Sequence, residues 1–166
     1  MTIEQLYEIA DSRNIIIKDF PMQKLRAVAL SGGWIAIDRR KCASDTEYKC
    51  VLAHEIGHCA TDSFYTVHTS VPVKELNERQ ANRFAAELLV PFSKLLHAIH
   101  ERGMSIVRTL AIAFDVTIEF MQMVLDLYEQ ELASPSYRRI AWVNALYTTV
   151  YCVPSIIQSA STTGTS

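Results

Sequence analysis

Short apolar runs in the first 40 residues predict a helix followed by a small sheet. Residues 3–10 carry apolar side chains at helical spacing, at Ile3, Leu6, Tyr7 and Ala10. The β-branched run 14–18 and the apolar runs 25–30 and 34–38 predict three strands. The Ser-Gly-Gly sequence at 31–33 predicts a tight hairpin turn, because glycine reaches positive φ at little cost. We therefore expect a small antiparallel sheet near the N-terminus.

From residue 44 onwards the pattern becomes helical. Ser44 and Glu47 match a capping box, which predicts the start of a helix over 45–60. A second helix is expected over 74–90, where Pro91 stops it. Three shorter helices are expected, over 92–102 ended by Gly103, over 106–114 capped by Ser105, and over 118–132 capped by Thr117. Together these elements predict an α+β fold in which the sheet packs on a helical bundle.

The last 33 residues differ from the rest, so we expect a domain over 1–133 and a C-terminal segment over 134–166. The segment holds an apolar stretch at 140–157 and a polar tail that we expect to be disordered. The stretch approaches the length of a membrane helix, but Asn144 and Pro154 interrupt it. A packing or interaction segment is therefore favoured over a membrane anchor.

Composition places the chain among ordinary globular proteins. It has 166 residues, 49% hydrophobic and 20% charged, which suits one domain with a real core. A formal net charge of −2 argues against a protein whose main task is to bind nucleic acid. The 4 cysteines form no C-x-x-C pair and the N-terminus has no signal-peptide pattern. A cytoplasmic protein without a disulfide framework is therefore expected.

The most informative residues are His54, Glu55 and His58, which form an H-E-x-x-H pentapeptide inside the first long helix. Positions i and i+4 lie on one helix face, so the two imidazoles can bind a single zinc ion. Glu55 lies beside them, where it can meet a metal-bound water. The alternative is two surface histidines on an ordinary helix, and the position well inside the helix disfavours it.

A catalytic zinc site needs a third protein ligand and an open position for water. The next predicted helix offers Glu75 and Glu78. We prefer Glu78, because Ala81 and Ala85 on its face allow two helices to approach closely. Asn82, one turn after Glu78, could hold a ligating imidazole as a second layer around the metal. Glu75 is nearer the helix start, where carboxylates often only meet the helix dipole.

The pentapeptide HEIGH at 54–58 and the segment ERQANRFAAELLVP at 78–91 together resemble the ImmA/IrrE family of metallopeptidases. The second motif has the form E-x-x-A-N-x-F-A-x-x-L-L-x-P, and every fixed position is present. The resemblance implies a gluzincin-like site with His54, His58 and Glu78 as zinc ligands and Glu55 as the general base. It also implies a protein substrate, because family members cleave a partner helix-turn-helix repressor.

We therefore expect a zinc-dependent endopeptidase that hydrolyses a peptide bond in a specific regulatory protein. The resemblance implies a helix-turn-helix repressor of a mobile element or stress response. The alternative is a non-catalytic zinc-dependent regulator, or a toxin-like protein, that acts by binding its partner. Zinc is the expected cofactor, although ligand sets of this kind also tolerate iron and manganese.

Three further features bear on partners and mechanism. Residues 105–127 have a helix-turn-helix pattern, but the second helix carries Glu119 and Asp126 and no Lys or Arg, so no direct contact with nucleic acid is expected. An extended substrate is expected to pair with an edge of the sheet, with the strand 34–38 as the candidate. Tyr65 and His68 in the loop between the motif helices are candidates for a second electrophile, and neither is assigned.

Overall fold

The computed structural model describes residues 1–102 and 106–133. These residues form six α-helices: α1 (Ile3–Ser12), α2 (Asp45–Thr61), α3 (Val71–Leu89), α4 (Phe92–Arg102), α5 (Val107–Phe114) and α6 (Ile118–Ala133). They also form three strands, β1 (Ile16–Asp19), β2 (Ala27–Leu30) and β3 (Trp34–Ile37), and a short 3-10 turn at Arg39–Lys41. The α+β class predicted from the sequence is confirmed.

The chain divides into a compact unit, Met1–Leu127, and a second unit, Tyr128–Ser166. The structure describes the second unit only over 128–133, the end of α6. The predicted segment 134–166 lies outside the described residues, as do the cap residues Gly103 and Ser105. None of the described helices is both long and apolar enough to cross a membrane.

The sheet has the strand order β1-β3-β2, with β3 in the centre. β2 and β3 form the expected antiparallel hairpin, and both Gly32 and Gly33 in its turn adopt positive φ. β1 pairs with β3 in parallel, so the sheet is mixed and not wholly antiparallel. The connection 20–26 carries the chain past β3, so that β1 and β3 run in the same direction. Because β3 is central, the free edges of the described sheet belong to β1 and β2, which excludes the strand 34–38 as the substrate-pairing edge.

The helix boundaries lie close to the predicted ones, but α3 begins earlier, and α5 begins at Val107 with Ile106 and not Ser105 as its N-cap. The Ser44 hydroxyl accepts from the Glu47 amide at 3.1 Å, as a capping box requires. The Glu47 carboxylate accepts from the amide of Ala43 at 2.6 Å, where a regular capping box would use the amide of Ser44. α3 begins at Val71, three residues before the predicted start, and includes Pro72 in its first turn. Proline is tolerated there because the first helical amides have no partner within the helix.

The core lies between α1, α2 and the sheet. Its fully buried large side chains in this region are Leu6, Ile35, Ile37, Leu52 and Ile56. More than half of α2 is buried, and α2 packs against α3, α1 and β2. α2 is therefore the central helix of the unit, and the groups it carries are held on a rigid support.

Candidate metal centre

Two helices bring three ligand-type side chains together. His54 and His58 stand one turn apart on α2, and their Nε2 atoms are 3.1 Å apart. Glu78 on α3 places Oε2 at 3.4 Å from His54 Nε2 and Oε1 at 3.8 Å from His58 Nε2. Within the described residues, these three form the group of His, Cys, Asp or Glu side chains whose donor atoms converge closely enough to hold a metal ion.

The spacing of these atoms fits a tetrahedral metal ion. Metal–ligand bonds of about 2.0–2.2 Å place neighbouring ligand atoms about 3.3–3.6 Å apart in a tetrahedron. The two Nε2 atoms are 3.1 Å apart, and each lies 3.4–3.8 Å from one of the two Glu78 oxygens, which is close to that range. Two imidazoles and one carboxylate also leave one position of the tetrahedron for water or substrate, which is the arrangement of a catalytic site and not of a structural one.

The close approach of α2 and α3 depends on Gly57. A Cβ atom at this position would lie 2.5 Å from the carbonyl oxygen of Ala81 and 3.0 Å from its Cα. Gly57 lies three residues after His54 and directly before His58 on α2, and Ala81 lies three residues after Glu78 on α3. The small residues Ala81 and Ala85 were predicted to permit a close approach, and both are fully buried. The same prediction omitted Gly57, although a glycine inside a strong helix was the available signal.

Each imidazole is oriented by a hydrogen bond on its far nitrogen. His54 Nδ1 donates to Asn82 Oδ1 at 2.8 Å. His58 Nδ1 donates to the carbonyl oxygen of Ser63 at 2.8 Å and lies 3.1 Å from the Ser63 hydroxyl. With the proton on Nδ1, both Nε2 lone pairs point into the cluster, which is the tautomer a metal requires. Asn82 is therefore in hydrogen-bond contact with one of the two imidazoles, and its role towards a metal stays a prediction.

Ser63 was missed by the sequence analysis. It follows Asp62, which ends α2 in the left-handed conformation, and its amide returns to the carbonyl of His58 at 3.1 Å. This reversal buries Ser63 against the His58 ring. A helix that ends three residues after His58 was the only sequence signal, and it does not specify which residue turns back.

Glu55 lies next to the cluster and is held by the sheet. It is buried, and its carboxylate accepts a hydrogen bond from the backbone amide of Ala29 on β2. Asp38 N donates to Arg26 O across the hairpin, so in this antiparallel pair the amides and carbonyls of Ala27 and Ala29 point away from β3. The outer edge of β2 therefore faces Glu55, a contact that joins two elements distant in sequence.

The electrostatics of the cluster favour an ionised carboxylate and one easily protonated histidine. Burial lowers the pKa of His54, but the hydrogen bond and charge of Glu78 outweigh it and the net pKa is raised. Burial and the nearby His54 charge lower the pKa of His58. When His54 is protonated, its hydrogen bond to Glu78 lowers the pKa of that carboxyl to about 2, despite partial burial. Burial raises the pKa of Glu55.

Tyr65, from the loop between α2 and α3, also reaches the cluster. Its hydroxyl donates to Glu78 Oε1, and its ring lies edge-on to His58 with 5.8 Å between centroids. Burial and the neighbouring Glu78 raise the pKa of Tyr65 to about 12, so the phenol is neutral at physiological pH.

Glu75, the alternative third ligand, and several other titratable side chains are not part of the cluster. Glu75 is exposed at the start of α3, and Glu87 is exposed near its end. Cys59 is half-buried, and burial raises the pKa of its thiol to about 11, which disfavours the thiolate that a metal needs. His97 lines a shallow pocket between α4 and α5.

Comparison with known proteins gives one family. Residues 14–126 match the family model described as the IrrE N-terminal-like domain, a domain of peptidases. The match covers more than half of the chain and includes both helices that form the cluster. No curated protein and no solved structure matches the chain.

Proposed function

Because the chain belongs to the family of IrrE N-terminal-like peptidase domains, we propose that it is a zinc-dependent endopeptidase that cleaves a specific regulatory protein. Metallopeptidase chemistry is what the family supports, and the choice of zinc and the roles of individual residues are part of the proposal. His54, His58 and Glu78 are the proposed metal ligands, Glu55 the general base, and Asn82 the residue that orients His54.

The observation that carries the proposal is the convergence of His54, His58 and Glu78 with an acid beside them. One donor atom from each residue lies within 4.8 Å of the other two, and three protein ligands leave a coordination position open. The acceptors beside both Nδ1 atoms favour the tautomer that exposes Nε2. A divalent metal held by His54, His58 and Glu78 would supply a Lewis acid that polarises the scissile carbonyl and lowers the pKa of water. Neutral imidazoles and one carboxylate leave such a site with net positive charge, which favours that chemistry.

Glu55 performs the proton transfers in this proposal. Its carboxylate takes a proton from the attacking water and later gives it to the leaving amine. The hydrogen bond from the Ala29 amide fixes the carboxylate at the edge of β2. This contact keeps Glu55 outside the ligand set while holding it beside the position where the scissile bond has to lie.

The outer edge of β2 is the proposed pairing surface for the substrate backbone. Ala27 and Ala29 direct their carbonyl groups outward along this edge, next to Glu55. An extended peptide that adds to the sheet here is guided past the cluster. Replacing Ala27 with proline removes an outward amide without breaking the ladder to β3, so metal binding should persist while cleavage falls.

The family resemblance supports a helix-turn-helix repressor as the substrate. Direct binding to nucleic acid is not part of the proposal, because the exposed residues of α6 include Glu119 and Asp126 and no cation. Co-expression of the full chain with a candidate repressor, followed by mass spectrometry of the fragments, identifies the cut site if the proposal holds.

The decisive experiment compares Glu55→Gln with Glu75→Gln. Glutamine at position 55 keeps the shape of the side chain but cannot accept the water proton. Zinc content by elemental analysis should therefore stay near that of the unsubstituted chain, while cleavage falls by a factor of about 10³ or more. Glu75 is an exposed acid on α3, so Glu75→Gln should keep both zinc and cleavage.

Two results contradict the proposal. Purified protein that binds no divalent metal has no metallopeptidase site at this cluster. A Glu55→Gln variant with full biological effect acts by binding its partner, which is the non-catalytic alternative.

A further inference from the structure

The side chain of Tyr65 touches two members of the metal cluster and also reaches solvent. Its hydroxyl donates to Glu78 Oε1, and its ring stands at 71° to the His58 ring. The residue remains 38% exposed, so a bound substrate can come into contact with it. This combination distinguishes Tyr65 from Asn82 and Ser63, which contact the histidines from the protein interior.

The position of the ring does not depend on its hydroxyl. Lys74 Nζ lies 5.0 Å from the ring centroid, and the ring edge meets His58. The loop backbone is tied to α3 next to Tyr65, because Asn77 Nδ2 donates to the Phe64 carbonyl at 2.7 Å. The hydroxyl can therefore change its acceptor by rotation about the C–O bond and a small movement of the ring.

Hydrolysis of a peptide bond develops negative charge on the carbonyl oxygen, which a hydrogen-bond donor such as the Tyr65 hydroxyl can stabilise. When water adds to the scissile carbonyl, a C–O bond forms, the carbonyl π electrons move to oxygen, and Glu55 takes the water proton. The oxyanion persists until the C–N bond breaks and Glu55 returns the proton to the amine. The Nδ1 atoms of His54 and His58 are already committed to Asn82 and Ser63.

We infer that Tyr65 donates a hydrogen bond to this oxyanion and is a catalytic residue of the proposed peptidase. The inference rests on the proposed function. The Tyr65 proton is not transferred in the reaction, and the hydroxyl exchanges the Glu78 oxygen for the substrate oxygen as its acceptor. A preorganised donor of this kind stabilises charge that exists only in the transition state.

The competing role for Tyr65 is to position Glu78. In that case the hydroxyl stabilises the ground-state cluster, and its loss weakens metal binding about 10- to 100-fold, as removal of a residue behind a ligand does. Oxyanion donation predicts instead that metal affinity is unchanged and that the catalytic step alone suffers. The two roles are therefore separated by a measurement that does not involve turnover.

The experiment uses the full zinc-loaded chain, Tyr65→Phe, and Val67→Ala as a control from the same loop, where Val67 is 95% exposed. Zinc affinity is measured by competition with a chromophoric chelator, and cleavage with the best fluorogenic peptide from a random library. Tyr65→Phe should keep zinc affinity within about twofold and KM nearly unchanged, while kcat falls about 10²- to 10³-fold. Val67→Ala should match the unsubstituted chain in zinc affinity, KM and kcat.

Two inhibitors built on the cleaved peptide give a second readout. A phosphinate carries a tetrahedral oxyanion, so Tyr65→Phe should weaken its binding about 10-fold or more. A hydroxamate with the same side chains chelates zinc without that oxyanion and should bind equally well to both proteins. Equal loss for both inhibitors, or a fall in zinc affinity beyond tenfold, overturns oxyanion donation.

The failures of the inference and of the proposed function are distinguishable. If the unsubstituted chain cleaves its peptide and Tyr65→Phe is as fast, only the inference is wrong. If the unsubstituted chain binds zinc but cleaves neither the library nor candidate repressors, the proposed function fails and the inference falls with it.

Discussion

The packing of Gly57 against Ala81 makes a sharp prediction, because one methyl group should change metal binding without touching a ligand. Alanine at position 57 adds a Cβ that would lie 2.5 Å from the Ala81 carbonyl oxygen, where ordinary contact begins at 3.4 Å. Both partners belong to helix backbone, so neither can rotate out of the way. α3 has to move away from α2 by about 0.9 Å to relieve the overlap.

This displacement is large compared with what a metal site tolerates. Metal–ligand distances hold to about ±0.2 Å, and Glu78 moves with α3 while His54 and His58 stay on α2. We expect zinc affinity to fall at least 10-fold in Gly57→Ala, and further in Gly57→Ser. The overlap also costs about 1–3 kcal/mol of folding free energy, which offsets the roughly 1 kcal/mol that alanine gains over glycine in a helix.

Two assays test this reasoning. Competition with a chelator gives the zinc affinity, and urea unfolding of the metal-free protein gives the folding free energy. Cys59→Ala is a control on the same helix, because its half-buried side chain lies outside the ligand cluster. Gly57→Ala with unchanged zinc affinity and raised stability would show that α2 and α3 are not held at this contact, and the argument from packing would fail.

Three further predictions address the surroundings of the cluster. Asn82→Ala removes the acceptor that orients His54 and should weaken zinc binding about 10- to 100-fold in a calorimetric titration; a change below twofold would contradict the role assigned to Asn82. The raised pKa of His54 lets protons compete with the metal, because an imidazolium has no lone pair to donate. Zinc affinity should therefore fall steadily as the pH drops from about 7.5 to 5.5. A flat profile would disprove His54 as a metal ligand. The side chain of Lys49 is 3% exposed and pairs with the exposed Asp115. Asp115→Asn leaves the buried ammonium without its partner and should lower the free energy of unfolding in urea by about 1–3 kcal/mol, whereas Lys49→Met removes the buried charge and should change it little. Equal losses in the two variants would contradict this reasoning.

Asparagine is the substitution of choice at position 115 because it tolerates the left-handed backbone conformation found there. Asp115 adopts a φ of 52° at the end of α5, and asparagine tolerates this conformation better than most residues. The Thr46 hydroxyl donates to Asp115 Oδ1 at 2.9 Å, and an amide oxygen can still accept that bond. The variant therefore removes the charge next to Lys49 while keeping the turn.

Local patterns in the sequence predicted much of what lies within single elements. The capping residues Ser44 and Thr117 and the breaker Pro91 set helix ends close to those observed. The i, i+4 spacing of the histidines placed them on one face without any tertiary information, because helix geometry depends only on the backbone. The motif around Glu78 also selected the carboxylate that the structure brings to them, ahead of Glu75.

Contacts between elements distant in the chain were decided by the tertiary structure. The strand patterns could not show that β1 pairs in parallel with β3, since alternation fixes which face of a strand is buried and not which strand lies beside it. The Ala29 amide on Glu55, the turn that returns Ser63 to His58, and the Tyr65 hydroxyl on Glu78 all depend on where separate segments pack. Sequence spacing determined which groups could share a metal ion. Only the packing of α2, α3 and β2 determined the groups that orient those ligands, because hydrogen bonds need positions in space that a one-dimensional pattern does not contain.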